Sequence, residues 1–153
     1  MKTSVRYCSQ AVLTAALAAI CLFAPFGLRA EENAVPNASC TLASLAGGYG
    51  AVLSGVQVNG TSTVNLAVAG RLVADGKGNI TSMTGTVSLG GVVVAASGNG
   101  TYTVGPACTG SATLNTNVLS IVHMTFTLVS GNTKALAIGT DTNYVVTGEI
   151  DKQ

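Results

Sequence analysis

Thr63-Val64-Asn65-Leu66-Ala67-Val68-Ala69-Gly70-Arg71-Leu72-Val73-Ala74-Asp75-Gly76-Lys77-Gly78-Asn79-Ile80 is the stretch that decides the fold. Val64, Leu66, Val68 and Leu72 share one side of an extended chain. Thr63, Asn65 and Arg71 share the other, so the run reads as a strand with one apolar face. Asp75-Gly76-Lys77-Gly78-Asn79 then supplies residues that tolerate positive φ, which a tight reversal requires. The loop superficially resembles a calcium loop, but only Asp75 and Asn79 offer side-chain oxygens, and it reads as a hairpin turn.

The same grammar repeats outward in both directions. Strands are expected at about 48–57, 63–74, 79–88, 91–104, 109–116, 118–129, 133–140 and 143–150. Gly90-Gly91 joins the third and fourth, and Ser130-Gly131-Asn132 joins the sixth and seventh. Val122, Met124, Phe126 and Leu128 share one face of the sixth run, with Thr125 and Thr127 on the other. No connection is long enough for a crossover helix, so sequence neighbours should be sheet neighbours. The expected fold class is therefore all-β. An eight-stranded antiparallel up-and-down barrel removes both sheet edges, and a two-sheet sandwich is the alternative.

The N-terminus has the three parts of a secretory signal. Lys2 and Arg6 give positive charge, Ala11 to Phe23 carry none, and Leu28-Arg29-Ala30 ends in a small residue. The uncharged run is shorter than the roughly 20 residues of a spanning helix. The expected organisation is a signal peptide at 1–30, a flexible leader at 31–38 and a single barrel domain at 39–153. The mature chain is expected to be secreted or periplasmic, with no membrane span.

Cleavage leaves Arg71, Lys77, Lys134 and Lys152 against six acidic residues, a net charge of −2. No basic stripe remains, so nucleic acid is not an expected partner. After residue 30 the aromatic residues are Tyr49, Tyr102, Phe126 and Tyr144. These are too few for the two aromatic girdles of an outer-membrane barrel. The three tyrosines, as the largest side chains of the barrel, are expected to point mainly inward or into strand contacts. Cys40 and Cys108 are the only cysteines left, and a disulfide between them is expected in an oxidising compartment. Ser39 or Asn37 is expected to cap a short helical turn through Cys40–Leu45.

Chemistry-bearing residues are sparse. Arg71, His123 and Glu149 lie inside expected strands, with Tyr102 completing the candidate ligand-binding set. If the barrel closes, Glu149 is the expected partner of Arg71, and the guanidinium would mark the polar end of a cavity. The alternative makes these residues solvated outward positions between threonines. A single histidine with no GxSxG elbow argues against a hydrolase triad. The carboxylates Asp75, Asp141, Glu149 and Asp151 fall at turns or near the terminus, so no glycosidase pair is indicated. No catalytic residue, cofactor or metal is expected.

Leu45-Ala46-Gly47-Gly48-Tyr49-Gly50, Gly70-Arg71-Leu72 with Asp75-Gly76-Lys77-Gly78-Asn79-Ile80, Gly100-Thr101-Tyr102-Thr103-Val104 and Cys108-Thr109-Gly110 form a series. From Cys40 to Ile150 the chain resembles small exported bacterial β-proteins similar to the allene oxide cyclase and lipocalin-like (calycin) barrels. The resemblance implies an apolar barrel cavity. The expected role is non-enzymatic binding of a small apolar ligand. Alternatives are a cofactor-free barrel isomerase or cyclase and a structural or cell-surface assembly protein, the low charge also fitting a homo-oligomer.

Overall fold

All eight expected strands form, and each pairs with its chain neighbours. They are β1 (Gly47–Asn59), β2 (Ser62–Ala74), β3 (Asn79–Leu89), β4 (Val92–Val104), β5 (Thr109–Thr116), β6 (Ser120–Val129), β7 (Lys134–Gly139) and β8 (Tyr144–Lys152). The structure, a computed structural model, describes residues 39–153, so the expected signal peptide and leader lie outside the described residues. Every pairing is antiparallel, and β8 returns to β1 from Tyr49 opposite Lys152 to Gln57 opposite Tyr144. The barrel alternative, not the sandwich, is therefore the fold. No helix among the described residues is long and apolar enough to cross a membrane.

Alternation sorts the side chains as the sequence implies. Leu66 and Leu72 of β2, Val87 of β3, and Met124, Phe126 and Leu128 of β6 are buried, whereas Thr125 and Thr127 are exposed. Tyr49, Tyr102 and Tyr144 all point inward. Gly70 and Gly85 face one another across β2 and β3. A Cβ on Gly70 would sit 2.6 Å from the Thr84 carbonyl oxygen, and one on Gly85 would sit 2.5 Å from that of Ala69. Only glycine lets these two strands coil so tightly where the wall bends.

The lower end of the barrel is closed by a 3-10 helix at Leu42–Leu45. Its cap is Thr41, whose N–H donates to Ser44 Oγ at 3.1 Å, so the expected start at Cys40 with Ser39 or Asn37 as cap is corrected. Cys40 cannot join the helix, because it is bridged to Cys108 and donates its N–H to the Pro106 carbonyl at 3.4 Å. The expected disulfide is present, with Cα atoms 4.9 Å apart. Tyr102 Oη donates to the Leu42 carbonyl at 2.9 Å and fixes the plug to β4. At this same end, Asp75 accepts the N–H groups of Lys77 at 2.7 Å and Asn79 at 2.9 Å and the Asn79 side-chain amide at 2.7 Å. The Asn79 contacts first, then Lys77, hold the Asp75 carboxyl below its ordinary pKa, and the loop is the hairpin turn expected.

The wall is taller on one side. Strands β1 to β4 have 13, 13, 11 and 13 residues, and β5 to β8 have 8, 10, 6 and 9, so gaps open at the upper rim. Two side chains stand in for missing strand. Asn117 Oδ1 accepts the Ser97 N–H at 2.8 Å while its Nδ2 donates to the Ala95 carbonyl at 3.3 Å. Asp141 Oδ2 accepts the His123 N–H at 2.7 Å. The sixth strand begins two residues later than expected, because Val118 and Leu119 turn inward onto the cluster of Leu66, Val87, Tyr144 and Val146 instead of extending it.

Candidate functional site: an apolar cavity in the barrel

Two clusters fill the interior. The lower one gathers Tyr49, Leu72, Ile80, Tyr102, Met124, Phe126 and Leu128 against the plug, and the upper one gathers Leu66, Val87, Tyr144 and Val146. They do not meet perfectly. A cavity of about 120 Å³ remains at their junction, bounded among others by Leu53, Val68, Met83, Leu114, Val122 and Met124. Gly70 and Gly85 lie in its wall, where a Cβ on either would meet the backbone of the neighbouring strand. Thr116 also borders it, but its Oγ1 is committed to the turn, accepting the Leu119 N–H at 3.0 Å and donating to the Ser120 carbonyl at 3.3 Å. Tyr144 Oη accepts from Gln57 Nε2 at 3.3 Å. The space is therefore apolar, and apolar cavities of this size admit molecules such as benzene.

The four residues singled out from sequence do not converge on this space. Period two places Gly70 and Leu72 inward and Arg71 outward, so Arg71 borders the cavity only through its main chain. Its Nη2 lies on the outer wall, 3.0 Å from where a Gly48 Cβ would stand. Glu149 is exposed and accepts from Lys134 Nζ at 2.7 Å, with Asp151 3.6 Å from the same ammonium. This carboxylate pair raises the Lys134 pKa, the Glu149 hydrogen bond most. The expected Arg71–Glu149 pairing is thus corrected, because both strands turn those positions to solvent. Tyr102 does point inward, but it packs into the lower cluster beneath the cavity.

His123 is also on the outer wall, 52% exposed, with Nδ1 2.8 Å from Asp141 Oδ1. The His123 main-chain N–H first, then its imidazole, hold the Asp141 carboxyl below the ordinary aspartate value. A carboxylate orienting an imidazole is half of a general-base arrangement. Among the described residues no hydroxyl bonds the imidazole, and the pair does not face the cavity. Its evident work is to finish the β6 edge where β7 stops short. Asp141→Ala is expected to lower stability by about 1 kcal/mol after solvent screening. Since the folded carboxyl titrates below its ordinary value near 3.9, that contribution is complete above about pH 4 and is lost as the pH falls through the folded value. Urea midpoints of parent and variant should differ near neutrality and converge in strong acid.

Apart from Arg71, the cavity-lining residues were not singled out from sequence, although their alternation was visible. Neither Asn117 nor Asp141 could be recognised as a strand surrogate from sequence, since that role depends on which strand ends first. Charges gather toward the plugged end, leaving Asp141 as the charged side chain of the upper rim among the described residues. No family model, curated protein or solved structure matches the chain.

Proposed function

We propose that the protein is a non-enzymatic, extracytoplasmic carrier that holds one small apolar molecule inside the barrel. The cavity at the junction of the two core clusters carries this reading, because an eight-stranded barrel is just wide enough either to fill its interior or to hold one small ligand. Side chains here are too small and glycine too frequent to fill it. Binding would gain contact with Leu53, Val68, Met83 and Met124. The Cys40–Cys108 bridge supports an oxidising setting and hence export. Ligand capture without chemistry fits a lining in which the Thr116 and Tyr144 hydroxyls are already hydrogen-bonded.

Benzene is a suitable probe because its size matches the space. Its titration should shift the methyl resonances of Met83 and Met124 saturably and raise the unfolding midpoint. At roughly 100 times the dissociation constant the gain should be about 2.7 kcal/mol. Ala51→Leu fills the cavity from β1 and should abolish the shifts while the variant remains folded. Native mass spectrometry of protein purified from its own host then identifies the resident molecule. Absence of saturable shifts up to the solubility limit of benzene, in parent protein that melts cooperatively, would sink the proposal.

A further inference from the structure

The tallest part of the wall exposes a free strand edge. β3 and β4 are joined by Gly90-Gly91, both at positive φ, so Leu89 and Val92 form the first hydrogen-bonded pair of a two-residue hairpin. Antiparallel alternation then turns the main-chain groups of Val92, Val94 and Ala96 toward β3 and those of Val93, Ala95 and Ser97 toward β5. β5 reaches only Gly98 of β4. Asn117 takes up Ser97 and the Ala95 carbonyl. The Val93 N–H and C=O and the Ala95 N–H are left facing outward along the sheet. Three consecutive valines occupy this edge, with exposures of 66% at Val92, 65% at Val93 and 37% at Val94.

We propose that this edge pairs with the same edge of a second copy of the chain, joining two barrels through β4 about a two-fold axis. One register satisfies the open Val93 groups and covers the valines together. Val93 stands opposite its own counterpart and exchanges both main-chain bonds with it. Val92 then faces the other copy's Val94 on the side toward the barrel mouth, and Val94 faces the other copy's Val92. Two-fold pairing sets residues opposite themselves or their near neighbours, so a charge on the edge would meet its like. The run Gly90–Ser97 carries none, nor any proline, the devices that ordinarily protect an edge. The Asn117 contacts on each copy bound the footprint to the last residues of the hairpin.

The chain's own leader is a poorer occupant. Residues 31–38 span at most about 28 Å, against roughly 36 Å of strand between Val104, near the disulfide, and Val93. A single short edge buries less than a standard interface, so the dissociation constant should lie in the micromolar range, on the order of 10–100 µM.

Sedimentation velocity on the disulfide-bonded barrel, from about 5 to about 500 µM, should show a concentration-dependent shift from monomer to dimer. Val93→Lys, which places the ordinary edge-blocking residue at an exposed position, should keep the protein monomeric throughout. Val145→Lys alters an equally exposed valine away from the edge and should leave the shift unchanged. Should Val93→Lys misfold, hydrogen exchange on the parent still decides, because the Val93 amide should gain protection with concentration. A parent that stays monomeric, a folded Val93→Lys variant that dimerises like the parent, or unchanged Val93 protection across the dimer transition each overturns the assignment.

Discussion

Reducing the Cys40–Cys108 bridge lowers the stability of the barrel by about 4 kcal/mol. The two cysteines are 68 residues apart, so the bridge closes a loop holding β1 through β4. Its opening returns that loop's closure entropy to the unfolded chain, which is the source of the figure in the chain-entropy model. In the folded state Cys40 belongs to the lower core with Leu45 and Leu128. The Cys108 carbonyl accepts the Leu128 N–H at 2.8 Å, so the bridge also ties the plug to β6. Because the β1–β8 closure does not pass through the cysteines, the Cys40→Ala/Cys108→Ala double variant should still form the barrel. Urea unfolding should show a lower midpoint and a steeper dependence on urea, since an uncrosslinked chain exposes more surface. A loss under about 1 kcal/mol would show that the unfolded chain is not expanded by cutting the link.

Removing the ring of Tyr102 or Tyr49 should cost about 3–5 kcal/mol each, the range for a buried aromatic replaced by alanine. The two tyrosines then part company when only the hydroxyl is removed. Tyr102 Oη holds the Leu42 carbonyl, so Tyr102→Phe should lose about 1 kcal/mol and loosen the 3-10 plug. Tyr49 is wholly buried, and its Oη has no hydrogen-bond partner. Tyr49→Phe removes a desolvated polar atom without breaking a bond, and stability should rise by about 1 kcal/mol. Burial, with the neighbouring Tyr102 adding a smaller push, raises the Tyr49 pKa above 10.0. The neutral ring therefore stabilises fully below about pH 10, and that contribution is lost as the pH rises through the folded value. Calorimetry on the four variants gives the ordering directly. Equal and opposite effects of the two Phe substitutions are the sign to look for.

The barrel was legible because Val64, Leu66, Val68 and Leu72 alternate with Thr63, Asn65 and Arg71, and because turns such as Asp75–Asn79 leave no length for crossovers. The candidate site was much less so. Arg71 stood out as an arginine inside a strand, but its own alternation with Leu72 already placed it on the outer face. Glu149 looked unpaired along the chain, yet β7 brings Lys134 beside it. Ring closure rather than local pattern decides such contacts, since strands far apart in sequence become neighbours only when the sheet has a fixed number of members.

Local chemistry alone determined the strand runs, the hairpin turns, the inward tyrosines and the pairing of the two cysteines. Each of these follows from the two-residue period of a strand, from residues that accept positive φ, or from a count of thiols. Tertiary structure alone decided how the shorter strands β5 through β8 line up against β1 through β4. It also decided that Asn117 and Asp141 finish the exposed edges and that the two core clusters leave a cavity between them. These features depend on the relative heights of paired strands and on side-chain volumes summed across eight of them. Packing on that scale is a property of the closed barrel, and no window of sequence contains it.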